Sequence, residues 1–268
     1  MKIFNIEGVN ICLGPHAHEL NEHAPSIVFL HGAGCDHTYW TQYTDYFADK
    51  GFNVLALDFP AHGQSKGEPL ESVEDSSAWL KTVEKHLGLS FDFIIGHSQG
   101  FLVGLEYAAT FGNENLGLIG IATSLAIPVN QDLIDLAKRS PEEAATLMMK
   151  WSLSEATQQK IKKGSLDWSI DESIGLMTQN PLANDLMACA NYTNGENAAK
   201  RAESMKVKAL MVLSKEDKMT PVAQGQLTAS VLCAKVILVE GAGHMLPVEA
   251  YTLVLNSITE FIGISADQ

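Results

Sequence analysis

The largely apolar run Phe91-Asp-Phe-Ile-Ile95, followed by Gly96-His97-Ser98-Gln99-Gly100 and then by the stretch Phe101 to Tyr107, decides how the chain is read. Such a run suits a strand buried on both faces, and the glycine-bounded pentapeptide suits a sharp turn from that strand into a helix. Small residues at 96 and 100 let the backbone pass close to its neighbours while the Ser98 hydroxyl projects above the sheet. The Gln99 amide, first in the helix, then lies where it can donate to a developing oxyanion.

The same rhythm extends in both directions. Ser26 to Leu30, Phe52 to Leu57, Leu116 to Ala122, Val207 to Leu213 and Lys235 to Val239 read as further buried strands. Helices fit between them, notably Ser72 to Leu87, where Ala78, Leu80, Val83 and Leu87 are spaced for one apolar stripe. Ile3 to Leu13 reads as an opening β-hairpin around Glu7-Gly8, and Val248 to Ile262 as a closing helix. Alternating strands and helices imply an α/β fold with a mostly parallel central sheet flanked by helices. From residue 125 to 203 strand-like runs are missing, and helices broken at Pro128, Pro141, Gly164, Pro181 and Gly195 take their place. The expected organisation is a core of residues 1–124 and 204–268 with a helical cap at 125–203.

The 268 residues are 46% hydrophobic and 19% charged, enough for one large globular domain. The net charge of −14 comes in short mixed groups without a Lys/Arg run, so no nucleic-acid partner is expected, and the negative field leans slightly toward neutral or weakly charged substrates. Met1 to Gly8 lacks a basic segment followed by an apolar one, and no segment reaches the roughly 18 apolar residues of a membrane span. The expectation is a cytoplasmic protein, monomer or homodimer, with Cys12, Cys35, Cys189 and Cys233 as reduced thiols.

A serine hydroxyl needs a base to become a nucleophile at neutral pH, and imidazole is the usual one. His244 is the candidate among nine histidines because Gly241-Ala-Gly-His244 follows the run Lys235 to Val239, at a carboxyl-terminal strand end. Asp217, after Val207 to Leu213, reaches the same edge and would orient that base, with the adjacent Glu216 as the alternative. His31-Gly-Ala-Gly34 follows an early strand and offers the Ala33 amide as a second oxyanion donor, the Gly34 amide ranking behind it; one such donor is worth about 2.7 to 4 kcal/mol. Gly34, His97, Met148, Trp151 and Met245 are the candidates for substrate contact. Most of Met148, Met149, Trp151, Trp168, Met177 and Met187 should join the insertion to the sheet, and any that face downward would line an adaptable apolar pocket. His31, His62 and His97 read as structural, Cys35 as a small buried residue, and Asp58 to Ser65 as the shaping of a turn. His16-Ala-His18 and His23 read as a solvated loop; no metal site is expected.

These motifs in this order, His31-Gly-Ala-Gly34, Asp58-Phe-Pro-Ala-His-Gly63-Gln-Ser65, Gly96-His-Ser-Gln-Gly100, Asp217 with Pro221, and Gly243-His244, resemble the α/β-hydrolase fold superfamily over roughly residues 3 to 264. Phe101 departs from it, since many relatives carry a second glycine there. The resemblance implies a serine hydrolase of the carboxylesterase kind with a helical cap, a triad of Ser98, Asp217 and His244, oxyanion donors Ala33 and Gln99, no cofactor, and a small ester as substrate. The same triad serves thioester cleavage, carbon–carbon bond hydrolysis, perhydrolysis and cyanohydrin lysis, and a non-catalytic small-molecule-binding protein is a more distant alternative.

Overall fold

In a computed structural model that describes residues 3–17 and 20–264, the chain opens with an antiparallel hairpin, β1 (Ile3–Ile6) and β2 (Val9–Cys12). Its two-residue turn holds Glu7 at φ 51° and Gly8 at φ 88°, as a turn matching the strand twist requires. A second sheet contains β3 (Ser26–Leu30), β4 (Asn53–Leu57), β5 (Phe93–His97), β6 (Gly117–Ile121), β7 (Lys208–Ser214) and β8 (Lys235–Val239), in the order β4-β3-β5-β6-β7-β8. Every pair in it is parallel, so antiparallel pairing among the described residues is confined to the hairpin. β3 to β7 are apolar and almost wholly buried, as strands covered on both faces must be. After β3 the chain crosses to one side and then returns to the other, so the carboxyl ends of β3 and β5 flank the point where the winding reverses.

Of the helices α1 (Thr41–Asp49), α2 (Val73–Leu87) and α3 (Gln99–Phe111), α2 carries the clearest start and stop signals. Ser72 accepts the Asp75 amide at its start, and Gly88 ends it in the left-handed region at φ 65°. Its inward face is Val73, Ser76, Ser77, Leu80, Val83 and Glu84; Ala78, expected in the stripe, is exposed because that face starts at Val73. Between β6 and β7 come α4 (Gln131–Arg139), α5 (Pro141–Ser152), α6 (Glu155–Lys162), α7 (Ile170–Gln179), α8 (Leu182–Asn191) and α9 (Gly195–Ser204). Residues of α4, α5, α7 and α8 form an apolar cluster of their own with Met245, whereas Ala198, Ala199 and Ala202 of α9 join the sheet-side core beside α3. α10 (Val222–Val231) separates β7 from β8.

Several strand ends shift by a single residue from the sequence expectation, and two larger differences have a visible cause. β5 begins two residues late because the Phe91 amide donates to Glu84 at 3.1 Å, and its pairing continues through Gly96 and His97. The closing helix breaks at Ala250 into α11 (Leu246–Glu249) and α12 (Tyr251–Ile262). The break accompanies a buried Glu249 whose carboxylate accepts the Ser154, Gly243 and Met245 amides at 2.8 to 3.1 Å.

The turn after β4 is built on charge. Buried Asp58 accepts the His37 amide at 2.7 Å, the His37 ring Nδ1–H at 2.8 Å and the Gln64 amide at 2.9 Å. Burial by itself would lower the His37 pKa, but the hydrogen bond and charge of Asp58 outweigh it and hold the ring up to about 10. A histidine raised above its unfolded value contributes stability in full below about pH 6.5, and that contribution is lost as pH rises through about 10. Melting temperature measured against pH should therefore fall between these values in the wild type, with a shallower fall in His37→Gln.

Candidate active site

Ser98 lies between the end of β5 and the start of α3 at φ 53° and ψ −118°, a backbone region that L residues rarely adopt. The turn is held by Ser98 N–H donating to the Ile121 carbonyl at 3.0 Å, while the Ser98 carbonyl accepts the Phe101 amide at 3.1 Å and the Thr123 hydroxyl at 2.9 Å. The two flanking glycines answer to backbone crowding. A Cβ on Gly96 would lie 2.3 Å from the Phe101 nitrogen, and one on Gly100 2.3 Å from the Leu30 carbonyl oxygen. Phe101 is accommodated because Gly120 on β6 has no side chain; a Cβ there would meet its ring at 2.7 Å.

Three strand ends converge on this serine. His244 Nε2 is 3.1 Å from Ser98 Oγ, and Nδ1 is 2.9 Å from Asp217 Oδ2. Asp217 also accepts the Met219 and Thr220 amides at 2.8 and 2.9 Å and the Thr220 hydroxyl at 2.7 Å. Burial pushes its carboxyl up, but the charge and hydrogen bond of His244, with the Thr220 bonds, outweigh that and hold it below the usual range. Since a carboxylate only accepts, His244 Nδ1 carries the proton and Nε2 is left to accept from Ser98. Glu216, the alternative partner, is exposed and accepts the Gly241 amide at 2.8 Å.

His97 lies behind this pair, its ring 4.9 Å from that of His244. Its Nε2–H donates to the His244 carbonyl at 2.9 Å, while Nδ1 is buried without a hydrogen-bond partner among the described residues. Burial, then the neighbouring His244, lowers its pKa to about 3, so it adds no charge beside the base above strongly acid pH. His31, also lowered to about 4 chiefly by burial, accepts the Phe59 amide at 3.3 Å and orders its loop.

The loop after β3 forms a turn closed by the Cys35 amide on the Gly32 carbonyl at 3.1 Å, with Gly34 at φ 70°. Among the described residues the amides of Ala33 and Gln99 have no partner within the protein; Ala33 lines the cavity beside Ser98, whereas Gln99, the first residue of α3, follows Ser98 in the chain but does not line it. Gly34 is a sequence candidate that falls outside the site: its amide donates to Asp185 at 2.7 Å and it does not line the cavity.

That cavity, about 220 Å³, has Ser98 and His244 on its wall together with Ala33, His97, Met148, Trp151 and Met245. Trp151 is 42% exposed and is thus shared between the cavity wall and the surface. Met149, Met177 and Met219 also line it, whereas Met187 and Trp168 do not; methionine spacing alone could not tell which of them face inward. Cys35 is a wall residue too, its thiol pushed up to about 12 first by burial, which leaves it a weak nucleophile. Residues with no local sequence signal proved important to these loops, above all Asp185 and Glu249. Among the described residues Cys12, His37 and Asp58 are the group whose ligand atoms come within 4.8 Å of one another, but the His37 ring already bonds Asp58, and none of the three lines the cavity. His18 lies outside the described residues; His16 pairs with Asp45 at 2.7 Å and His23 lies 3.6 Å from Glu22.

A family model described as the alpha/beta hydrolase family matches residues 27–256. The chain is similar to (E)-2-((N-methylformamido)methylene)succinate hydrolase from Acinetobacter baylyi, 33% identical over 89 residues, 33% of each protein. Matched stretches span 38%, 33% and 27% of the lengths of the first three curated relatives. A protein of Mycoplasma pneumoniae named as an esterase/lipase is 23% identical over 258 residues, 88% of each chain. Among solved structures, the enol-lactonase from Burkholderia xenovorans shares the fold with a TM-score of 0.83 at 18% identity, over 98% of this chain and 100% of that one.

The crowding at the serine turn has a measurable counterpart. Gly100→Ala, whose Cβ meets backbone, should lose roughly 1–3 kcal/mol or more in urea unfolding. Gly175→Ala, on an open face of α7 with nothing within 4 Å, should be neutral or gain up to about 1 kcal/mol.

Proposed function

The chain belongs to the alpha/beta hydrolase family, and from that premise we propose that it hydrolyses a carboxylic ester of a small, largely apolar substrate through an acyl-enzyme. The observation that carries this reading is the chain of contacts Ser98 Oγ to His244 Nε2 at 3.1 Å and His244 Nδ1 to Asp217 at 2.9 Å, opening onto an apolar cavity. Ser98 Oγ attacks the ester carbonyl as its proton passes to His244 Nε2, and Asp217 stabilises the imidazolium. The amides of Ala33 and Gln99 receive the oxyanion, each worth on the order of 10²–10³ in rate in comparable sites. The tetrahedral adduct collapses, the alcohol leaves with the proton from His244, and the acyl group stays on Ser98. Water then gives a proton to His244 Nε2 and attacks the acyl carbon, releasing the acid and restoring the serine.

The cavity limits the substrate. About 220 Å³ lies below the roughly 300–1,000 Å³ of pockets for drug-sized ligands, which favours a short acyl group. The methionine-rich wall from α5 and α7 adapts to varied apolar shapes. Helices between β6 and β7 act in this reading as the roof. The ester bond itself is supported by relatives named as an esterase/lipase and an enol-lactonase. No described helix is long and apolar enough to cross a membrane.

Ser98→Ala should lower kcat for p-nitrophenyl acetate by a factor on the order of 10⁶ while leaving the melting temperature close to the wild-type value. A fluorophosphonate should label the wild type at Ser98, and His244→Ala should suppress that labelling. Undiminished turnover by Ser98→Ala would overturn the assignment.

A further inference from the structure

Beyond the residues that meet the substrate, we infer that Asp185 and Asn180 are positioning residues for the oxyanion site, locking the turn that presents the Ala33 amide. The inference rests on the reading that this amide receives the oxyanion. Asn180 joins α7 to α8 and Asp185 lies in the first turn of α8, more than 140 residues along the chain from the turn they hold. Asp185 Oδ2 accepts the Gly34 amide at 2.7 Å and the His62 ring Nε2–H at 2.9 Å. Asn180 Nδ2 donates to the Gly34 and Cys35 carbonyls at 2.9 and 3.0 Å, and its Oδ1 accepts the Gly63 amide at 2.9 Å. Both side chains are buried.

The need for such a lock follows from turn geometry. Gly32 to Cys35 is closed by one backbone hydrogen bond, with Ala33 at negative φ and Gly34 at φ 70°, the pattern of a type II turn. The common type I turn has the same ends but the central peptide, Ala33 to Gly34, rotated by about half a turn. In that alternative the Ala33 carbonyl would replace the Gly34 N–H as the group facing the Asp185 carboxylate, oxygen against oxygen. The carboxylate therefore selects the observed Ala33–Gly34 peptide; the Ala33 N–H belongs to the preceding peptide and is held through its neighbours, with the Gly34 amide anchored on Asp185 and the Gly34 and Cys35 carbonyls on Asn180. His62 completes the arrangement: its Nδ1 faces the Pro60 carbonyl at 3.0 Å and its Nε2 faces Asp185, so both nitrogens must donate and the ring carries a charge that balances the buried carboxylate. Leu186 and Met177, on the same two helices, line the cavity. Seating the roof over the substrate and setting the oxyanion donor are thus one event, and an amide held to within about 0.5 Å is what such a donor requires.

The test compares Asp185→Ala, Asn180→Ala and Asp185→Asn with the wild type and Ser98→Ala, using p-nitrophenyl acetate, a trifluoromethyl ketone that forms a Ser98-bound oxyanion, and thermal melting. Each alanine variant should lower kcat roughly 10- to 100-fold with KM within about twofold, because a misplacement near 1 Å costs up to about 10²-fold. Affinity for the ketone should fall in the same proportion as kcat/KM. Asp185→Asn should recover much of the loss, since its amide oxygen can still accept the Gly34 N–H. If one alanine variant does not fold, the other and Asp185→Asn carry the same comparison. Melting temperatures that fall while kcat and ketone affinity per folded molecule stay at wild-type values would overturn the inference and leave a purely structural clamp. Wild-type turnover by Ser98→Ala would instead overturn the underlying reading, and this inference with it.

Discussion

The close approach of the α3 N-terminus to the end of β3, with Gly100 against the Leu30 carbonyl, is the contact on which the carboxyl edge of the sheet depends. It forces the chain to turn within Ser98 itself, which accepts a strained backbone because two hydrogen bonds from the end of β6 and just beyond it, and one from the first turn of α3, over-determine the position. From that turn follow the outward direction of the hydroxyl and the place of the Gln99 amide directly after it, while the loop of Ala33 leaves the neighbouring end of β3. Without side chains at 96 and 100 the approach costs nothing in crowding; with them the strand, turn and helix could not share the space.

Around this turn the loops are held by buried carboxylates that accept backbone amides. Asp58 gathers the His37 and Gln64 amides, Asp185 the Gly34 amide, Asp217 those of Met219 and Thr220, and Glu249 those of Ser154, Gly243 and Met245. A buried carboxylate without partners would be costly, so each one draws in amides and fixes loop geometry. Three of the four also pair with a histidine: His37, His62 and His244. Only His244 has its second nitrogen free for a hydroxyl, because the His62 ring is spent on two acceptors and the His37 ring is buried against Asp58. Chemically similar pairs therefore differ in what the far side of each imidazole meets, and His244 alone of the three meets a serine hydroxyl.

Much of the sheet was legible because buried parallel strands leave continuous apolar runs. The runs Lys235 to Val239 and Ser26 to Leu30 coincide with β8 and β3 to the residue. Errors arose where a distant contact overrode a local pattern. Phe91 looks like strand but is held to the end of α2 by Glu84, Ala78 looks buried by period but faces solvent, and Ala250 breaks a helix whose residues all suit one, where Glu249 turns inward.

The sequence by itself determined the order of strands and helices, the glycine-flanked turn at Ser98, and the arrival of Asp217 and His244 at one edge, since these follow from period and short-range sterics. It did not reveal that Asp185 would reach Gly34 across 151 positions, that Gly34 would thereby be withdrawn from the cavity, or which methionines would line it. Those outcomes were decided by the tertiary structure, because a carboxylate's choice of amide and a side chain's inward or outward face depend on how whole helices settle against the sheet edge, and residue spacing does not encode that placement.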